Sequence, residues 1–290
     1  MIYLITASLI WCFSFGLIGR YLSDLPSAWL ATSRLLLAFI VFAPFIKRIR
    51  TSIAVKLFTT GAVQFGIMYL AYMHSYKFLK SHEVVLFTIF TPIYISIIND
   101  LQTKKISSVN LTAALAAVAG AGVILWKNEN LSGSLIGFCF VQSANVLFAL
   151  GQMFYRTICN NEKEYIKNYK DRDLMPWLYL GGFMILLPLA LQDMAQEMPM
   201  PDWKQASAII YLGVVASGIA FFLWNTGVRK VSAGTLAVMN NLKIPAGVLV
   251  SLIIFREKAN LVALLCGSVL IGAAIWTTAF RRQESESCES

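Results

Sequence analysis

Apolar residues run through this chain in long stretches, each closed by a short polar or turn-rich segment. A helix rising 1.5 Å per residue needs about 20 such residues to cross the roughly 30 Å hydrocarbon core of a bilayer. Ten stretches approach that length, at roughly 2–18, 27–46, 56–76, 82–99, 108–126, 134–156, 175–192, 205–226, 233–255 and 259–280. A membrane barrel would show short segments of alternating polarity instead. The pattern predicts an all-α membrane protein with ten transmembrane helices. Turn-forming clusters such as "SDLPS" and "KNENLSGS" separate several of them. Residues 157–174 are polar and of mixed charge and are expected to form a cytoplasmic loop, and 281–290, "RRQESESCES", a disordered cytoplasmic tail.

Composition supports the membrane reading. Hydrophobic residues make up 58% of the chain and charged residues 13%, about half the usual quarter of a soluble domain. The net charge of +9 does not point to nucleic acid, because the basic residues sit between the apolar runs. There they set orientation through the excess of Lys and Arg on the cytoplasmic side. One side carries Lys47, Arg48, Arg50, Lys56, Lys104, Lys105, Arg156, Lys163, Lys167, Lys170, Arg172, Arg229, Lys230, Arg281 and Arg282. The other carries only Arg20, Lys77, Lys80, Lys127, Lys204, Arg256 and Lys258. Both termini are therefore expected in the cytoplasm, with the protein in a bacterial inner membrane. The first apolar run starts at Ile2 without a basic n-region or a cleavage site and reads as a retained helix. Cys12, Cys139, Cys159, Cys266 and Cys288 are scattered, which predicts neither a disulfide framework nor a metal site.

The two halves of the chain resemble each other. Residues 105–126 fall on 255–276, so that Asn110 and Leu111 meet Asn260 and Leu261, Gly122 meets Gly272 and Trp126 meets Trp276. "FGLIGR" (15–20) falls on "GQMFYR" (151–156), with Arg20 on Arg156. The division is a first five-helix repeat over 1–130 and a second over 131–280. Five is odd, so the second repeat enters the bilayer from the opposite side. Inverted repeats are a common plan of secondary transporters, with the substrate site near the bilayer midplane.

These features resemble the drug/metabolite transporter superfamily, EamA type. The residues that carry the likeness are "SLIWCFSFGLIGRY" in the first span, "LPSAWLATSRLLLAF" with Arg34 in the second, Pro92 in the fourth and Glu257 after the ninth. The chain departs from the family pattern at Cys12, where a glycine is usual. It departs again at Pro245, displaced from the position matching Pro92, and at Ser107 or Asp100, where the first-half counterpart of Glu257 would lie. The resemblance implies a gradient-driven carrier or exchanger of small polar metabolites, often amino acids. It also implies a central cavity lined by spans one to four and six to nine.

The residue with the strongest chemical implication is Lys243, in "VMNNLKIPAG". It lies about 10 residues from one end of its span and about 12 from the other, roughly 15 to 18 Å of helix on each side. A lysine stem cannot comfortably snorkel that far, and a charge at mid-depth costs roughly 2.5–3.5 kcal/mol on insertion scales. Water in a cavity, a counter-charge, an anionic ligand or loss of the proton must offset this. Pro245 removes the hydrogen bond to the carbonyl of Asn241, and Asn240 and Asn241 add amides, an irregularity tolerated at this depth only against protein or a wet cavity. The functional reading is that Lys243 meets a substrate carboxylate while Asn240 or Asn241 holds it. The alternative is a structural lysine paired with a carbonyl or carboxylate, yet no acid lies at comparable depth in another span.

Arg34 is a second positive charge, expected at the outer mouth or in a structural pairing. Glu83, Asp100 and Glu257 lie at span ends, which argues against a carrier of lipophilic cations and for an anionic or zwitterionic substrate. Glu83, with His82 and Lys80, is a gate or an interfacial charge cluster; His74 reads as a packing residue. Aromatic residues follow the expected cavity-facing helices: Trp11 and Phe15, then Phe87, Phe90 and Tyr94, then Phe221, Phe222 and Trp224 beside Asn225. Tyr69, Tyr72 and Tyr76 share one helical face and could bind a ligand through their hydroxyls. Small residues at Ala113, Ala117, Ala121, Gly267 and Gly272 suit close helix packing in a monomer or homodimer. No metalloprotease, hydrolase or phosphate-loop motif is present, so neither an enzyme nor a cofactor is expected. A nucleotide-sugar or phosphate-ester exchanger, and a channel or sensor, remain as alternatives to a metabolite carrier.

Overall fold

A computed structural model describes residues 1–103, 131–196, 200–231, 236 and 239–257, with the single positions 262, 265, 266 and 269. The spans expected at 108–126 and 259–280, the small-residue face, the tail and most of the aligned repeat lie outside the described residues. Those described form an all-α membrane protein. Seven helices are long and apolar enough to cross a bilayer. They are α1 (Ile2–Leu22), α2 (Ser27–Phe45), α3 (Thr51–Ser75), α4 (Ser81–Gln102), α5 (Leu131–Asn161), α6 (Asp171–Ala195) and α7 (Trp203–Val228). A shorter apolar helix, α8 (Lys243–Ile253), lies in the expected ninth span.

The helices are apolar on both faces, as membrane spans must be. Trp224, Tyr179, Phe65 and Phe87 fill the interior, whereas Leu9, Ile40, Ile185, Leu191 and Leu249 point outward. Close approach is set by glycine where α3 meets α6. A Cβ on Gly61 would stand 1.9 Å from the Leu178 carbonyl oxygen, and one on Gly181 1.9 Å from that of Phe58.

Caps move several helix ends beyond the apolar runs. Asp202 accepts from the Gln205 amide at 2.7 Å while Gln205 Oε1 accepts from the Asp202 amide at 3.1 Å, starting α7 at Trp203. Asp173 accepts from the Lys170 amide at 3.0 Å, so α6 starts at Asp171. Helix α5 runs to Asn161, into the segment expected as a loop. The rest of that segment is pinned to the start of α3: Glu162 receives Lys56 Nζ at 2.8 Å, and the Tyr165 hydroxyl accepts from the Arg50 amide at 2.8 Å. Glu162 looks solvated in sequence but is partnered in space.

The helices are irregular at a few places. Wide π turns occupy Ile18–Leu22, Ala62–Ile67 and Tyr211–Ile219, and a tight 3₁₀ turn occupies Thr88–Phe90. The turn in α4 precedes Pro92, which cannot donate to Thr88. Amides from α5 repair the ladder here: Asn145 Nδ2 donates to the Phe87 carbonyl at 2.8 Å and Gln142 Nε2 to the same atom at 3.3 Å. The second break is at Asn241 and Leu242, just before α8. The Asn241 carbonyl, which Pro245 cannot engage, accepts the Ile244 amide at 3.1 Å.

The two ends of the bundle are tied differently. At the end holding Met1, Lys47 pairs with Asp173 at 2.9 Å and Arg229 pairs with Asp171. At the opposite end carboxylates cap helix starts from across the bundle. Asp193 Oδ2 accepts from the Trp29 amide at 3.0 Å, and Glu257 accepts from the Ser81 and His82 amides at 3.1 and 3.0 Å. Glu83 belongs to the same cluster, accepting from the Lys80 amide at 2.9 Å.

Candidate functional site

A cavity of about 550 Å³, counting the part open at its mouth, lies between the helices. Its wall is built by Trp11, Ser14 and Phe15 of α1, Arg34 of α2, Met68, Tyr69 and Tyr72 of α3, and Thr88 and Thr91 of α4. Ala144, Asn145 and Phe148 of α5, Phe221 of α7 and Lys243 of α8 complete it. Both halves of the chain contribute.

Lys243 is the first residue of α8, so its backbone sits at the positive end of a helix dipole. Its side chain is 6% exposed. Nζ lies 5.0 Å from the ring centre of Trp11, 5.3 Å from that of Phe148 and 6.0 Å from that of Trp224. Cation–π contacts help by about 0.5–1 kcal/mol where solvated and roughly 2 when desolvated. These three are close to the distance limit, and rings offer no hydrogen-bond acceptor comparable to an oxygen. Among the described residues no carboxylate pairs with this ammonium group.

Arg34 is the second cation of the wall and is 2% exposed. Nε donates to Ser217 Oγ at 3.2 Å, one terminal nitrogen to the Tyr69 hydroxyl at 3.1 Å and the other to Met73 Sδ at 3.6 Å. All three partners are neutral, so the charge is not balanced, and each terminal nitrogen keeps a second N–H beyond these contacts. The wide turn of α7 makes this arrangement possible. It exposes carbonyls that side chains of other helices engage: Trp11 Nε1 donates to Ala216 at 2.9 Å, and the Tyr179 hydroxyl lies 2.9 and 2.8 Å from the carbonyls of Ser217 and Gly218. Such turns often mark functional sites. Two buried cations thus share one cavity whose lining, among the described residues, holds no acid. An anion placed there would meet a field with nothing to neutralise it beforehand.

Of the residues singled out in the sequence, the structure brings Trp11, Phe15, Arg34, Tyr69, Tyr72 and Lys243 to this cavity. Phe221, named among the aromatic residues, also lines it, and the others lie outside its lining. Asn240 ties α5 to the ninth span, its Nδ2 donating to Gln152 Oε1 at 3.4 Å and to the Leu236 carbonyl at 2.9 Å. Asn241 sits in the turn before α8. Asn225 Oδ1 accepts from Gln64 Nε2 at 3.2 Å, holding α3 to α7. Tyr76 stands behind Tyr72, hydroxyl to hydroxyl at 2.8 Å. Phe90 packs on Phe138, and Trp224 backs the Trp11 ring at 5.0 Å. Sequence reasoning missed Ser14, Thr88, Thr91, Asn145 and Phe148. The available signal for Asn145 was an amide in the middle of the sixth apolar run, one of three there with Gln142 and Gln152.

Comparison with known proteins agrees with this geometry. The EamA-like transporter family matches residues 1–126 and 135–280. A Pseudomonas aeruginosa protein described as a probable biotin transporter is 34% identical over 290 residues, covering 98% of this chain and 99% of that one. The biotin transporter of Salmonella typhimurium is 35% identical over 281 residues, covering 95% and 92%. More distant is UDP-galactose transporter 1 of Arabidopsis thaliana, 27% identical over 64% of this chain and 56% of that one. A solved crystal structure shares the fold at a TM-score of 0.65 and 16% identity, covering 98% of both chains. The protein is therefore a membrane transporter and not an enzyme. As its first spans and its paired halves imply, this chain belongs to the EamA-like transporter family of the drug/metabolite transporter superfamily.

Proposed function

We propose that the protein is a secondary active carrier of a small metabolite bearing a carboxylate, with biotin as the first candidate. One observation carries this reading: Lys243 and Arg34 are both buried in the wall of one cavity that, among the described residues, holds no acid. A monocarboxylate supplies the missing charge. Its body would lie against Trp11, Phe15, Phe148 and Phe221, which suits an apolar ring and chain. The names of the bacterial relatives point the same way. An amino acid, which the family resemblance implies, fits this site less well. Its ammonium group would need an acid, and the lining supplies none among the described residues.

The carrier would work by alternating access, with 1–130 and 131–280 as inverted halves moving around the fixed site. Substrate would enter on one side, its carboxylate replacing water at Lys243, and leave on the other after the halves rock. A gradient would drive the cycle. In this reading both termini lie in the cytoplasm of a bacterial cell and the Lys243 cavity lies near mid-membrane. A nucleotide-sugar or phosphate-ester exchanger is the second reading, favoured by the presence of two cations.

Counterflow in proteoliposomes tests the proposal. Labelled biotin should enter faster when the vesicles are preloaded with unlabelled biotin. Uptake that ignores the preload would indicate a channel. Acceleration by phosphate esters and not by biotin would favour the second reading, and no biotin binding at all would remove biotin as substrate.

A further inference from the structure

We infer that Ser14 and Asn145 form a second, uncharged pole of the cavity that binds an N–H-bearing edge of the substrate, of the kind a cyclic urea presents. This deepens the carboxylate reading and rests on it. Both side chains line the cavity and both are 4% exposed.

The orientation of the Asn145 amide follows from its partners. The atom 2.8 Å from the Phe87 carbonyl oxygen must be the nitrogen, since two acceptors would repel. Its second hydrogen is taken by Gln142 Oε1 at 3.2 Å. Both donors are thus occupied, which leaves Oδ1 as the free end. The only donor near Oδ1 among the described residues is the Thr91 hydroxyl at 3.3 Å. That hydroxyl has one proton and lies 2.8 Å from the Thr88 carbonyl, the better acceptor by distance. Asn145 Oδ1 is left as a buried acceptor with weak claim on any donor.

Ser14 complements it. Its hydroxyl has no hydrogen-bond partner among the described residues. A serine inside a helix commonly bonds the carbonyl four residues back. Here that carbonyl, of Ile10, already accepts from the Tyr211 hydroxyl at 3.2 Å. An unpaired buried polar group is destabilising, and a ligand bond would offset that.

The two groups lie at one level. The C-terminal end of α1 and the N-terminal end of α5 share the same end of the bundle, because Gly19 abuts Ser81 and Gly137 abuts Phe78 and Leu79. The helices are therefore antiparallel. Trp11 and Phe148 touch across them, with ring centres 6.1 Å apart. Ser14 follows Trp11 by one turn and Asn145 precedes Phe148 by one turn, so both stand about 5 Å from that contact toward the Ser81 end. The Lys243 ammonium stands at the contact itself, over both rings. The cavity thus has a cationic level and, one turn away, a neutral hydrogen-bonding level.

Three probes on the purified full-length protein separate the two levels by equilibrium binding. Biotin has the carboxylate and the urea, lipoate has the same pentanoate chain without the urea, and biotin methyl ester has the urea without the carboxylate. The wild type should bind biotin about tenfold or more tightly than lipoate, because unpaired site groups penalise the analogue. Ser14→Ala should weaken biotin about fivefold and leave lipoate unchanged. Asn145→Leu should also weaken biotin selectively. Because it disturbs the Phe87 bond, its melting temperature is measured alongside, and the biotin-to-lipoate ratio is the readout that mere destabilisation would not change. Equal affinity for biotin and lipoate, or equal losses of both in Ser14→Ala, would overturn the neutral pole while leaving the carboxylate reading intact. An ester that binds as tightly as biotin would overturn the carboxylate reading instead. Failure of all three to bind would overturn both.

Discussion

Glu257 and His82 join the two halves of the protein: Oε2 of Glu257 lies 2.7 Å from Nδ1 of His82. The same carboxylate accepts the Ser81 and His82 amides, so a residue beyond α8 caps the first turn of α4. Separation of the two halves at this end would have to break all three bonds.

The clasp should depend on pH with a definite sign. Burial pushes the Glu257 carboxyl up, but the hydrogen bonds from His82 and Ser81 outweigh this and hold it below the ordinary glutamate value of 4.5. A carboxyl depressed in the folded state contributes stability that is present above its unfolded value and lost as pH falls through its folded value. Glu257→Gln should therefore melt at lower temperature than the wild type at pH 7, by about 2 kcal/mol of stability. That gap should close as the pH drops below the glutamate range. His82→Gln should bring the closing point up toward 4.5. Melting curves in detergent across this pH range check it, and a gap of constant size would refute the clasp.

The contact of α3 with α6 makes a simpler prediction. A methyl group at Gly61 or Gly181 would meet backbone oxygen at 1.9 Å, and backbone cannot move aside cheaply. Gly61→Ala and Gly181→Ala should each cost about 1–3 kcal/mol or more. Thermal unfolding of the purified variants reads this directly, and wild-type melting would show that the helices stand farther apart.

These two contacts also show what a sequence can and cannot reveal. The described spans were legible because each carries its own apolar length. Lys243 and Arg34 were legible because a buried charge stands out against that background. The irregular turn before α8 was legible from Pro245. The pairing of helices was not. Asn225 and Asn240 look like Asn145 in sequence, each an amide in an apolar run, yet they hold helices together away from the cavity lining, through Gln64 and Gln152, while Asn145 ties α5 to the Phe87 carbonyl of α4 and also lines the cavity. The tyrosine face illustrates the same limit: Tyr69 and Tyr72 line the cavity, and Tyr76, one turn on, lies behind Tyr72. Helical spacing identifies a shared face but does not name the neighbour across from it.

Arg34 should tolerate no other cation. Its three contacts use the planar spread of the guanidinium, which a lysine ammonium cannot reproduce. Arg34→Lys should thus lose most of the ligand affinity that Arg34→Gln loses, about tenfold in each case, from a charge-assisted contact of about 1.5 kcal/mol. Equilibrium binding of biotin to both variants checks this. Full affinity in Arg34→Lys would mean that only its charge matters.

The most direct test of the carboxylate site is the biotin affinity of Lys243→Met, which keeps the apolar stem in contact with Trp11 and Phe148 and removes the ammonium. Loss of a buried charged partner costs about 2 kcal/mol or more, so the dissociation constant should rise roughly thirtyfold while that for biotin methyl ester stays the same. An unchanged dissociation constant for biotin in a variant that melts like the wild type would contradict the assignment of Lys243 as the carboxylate-binding residue.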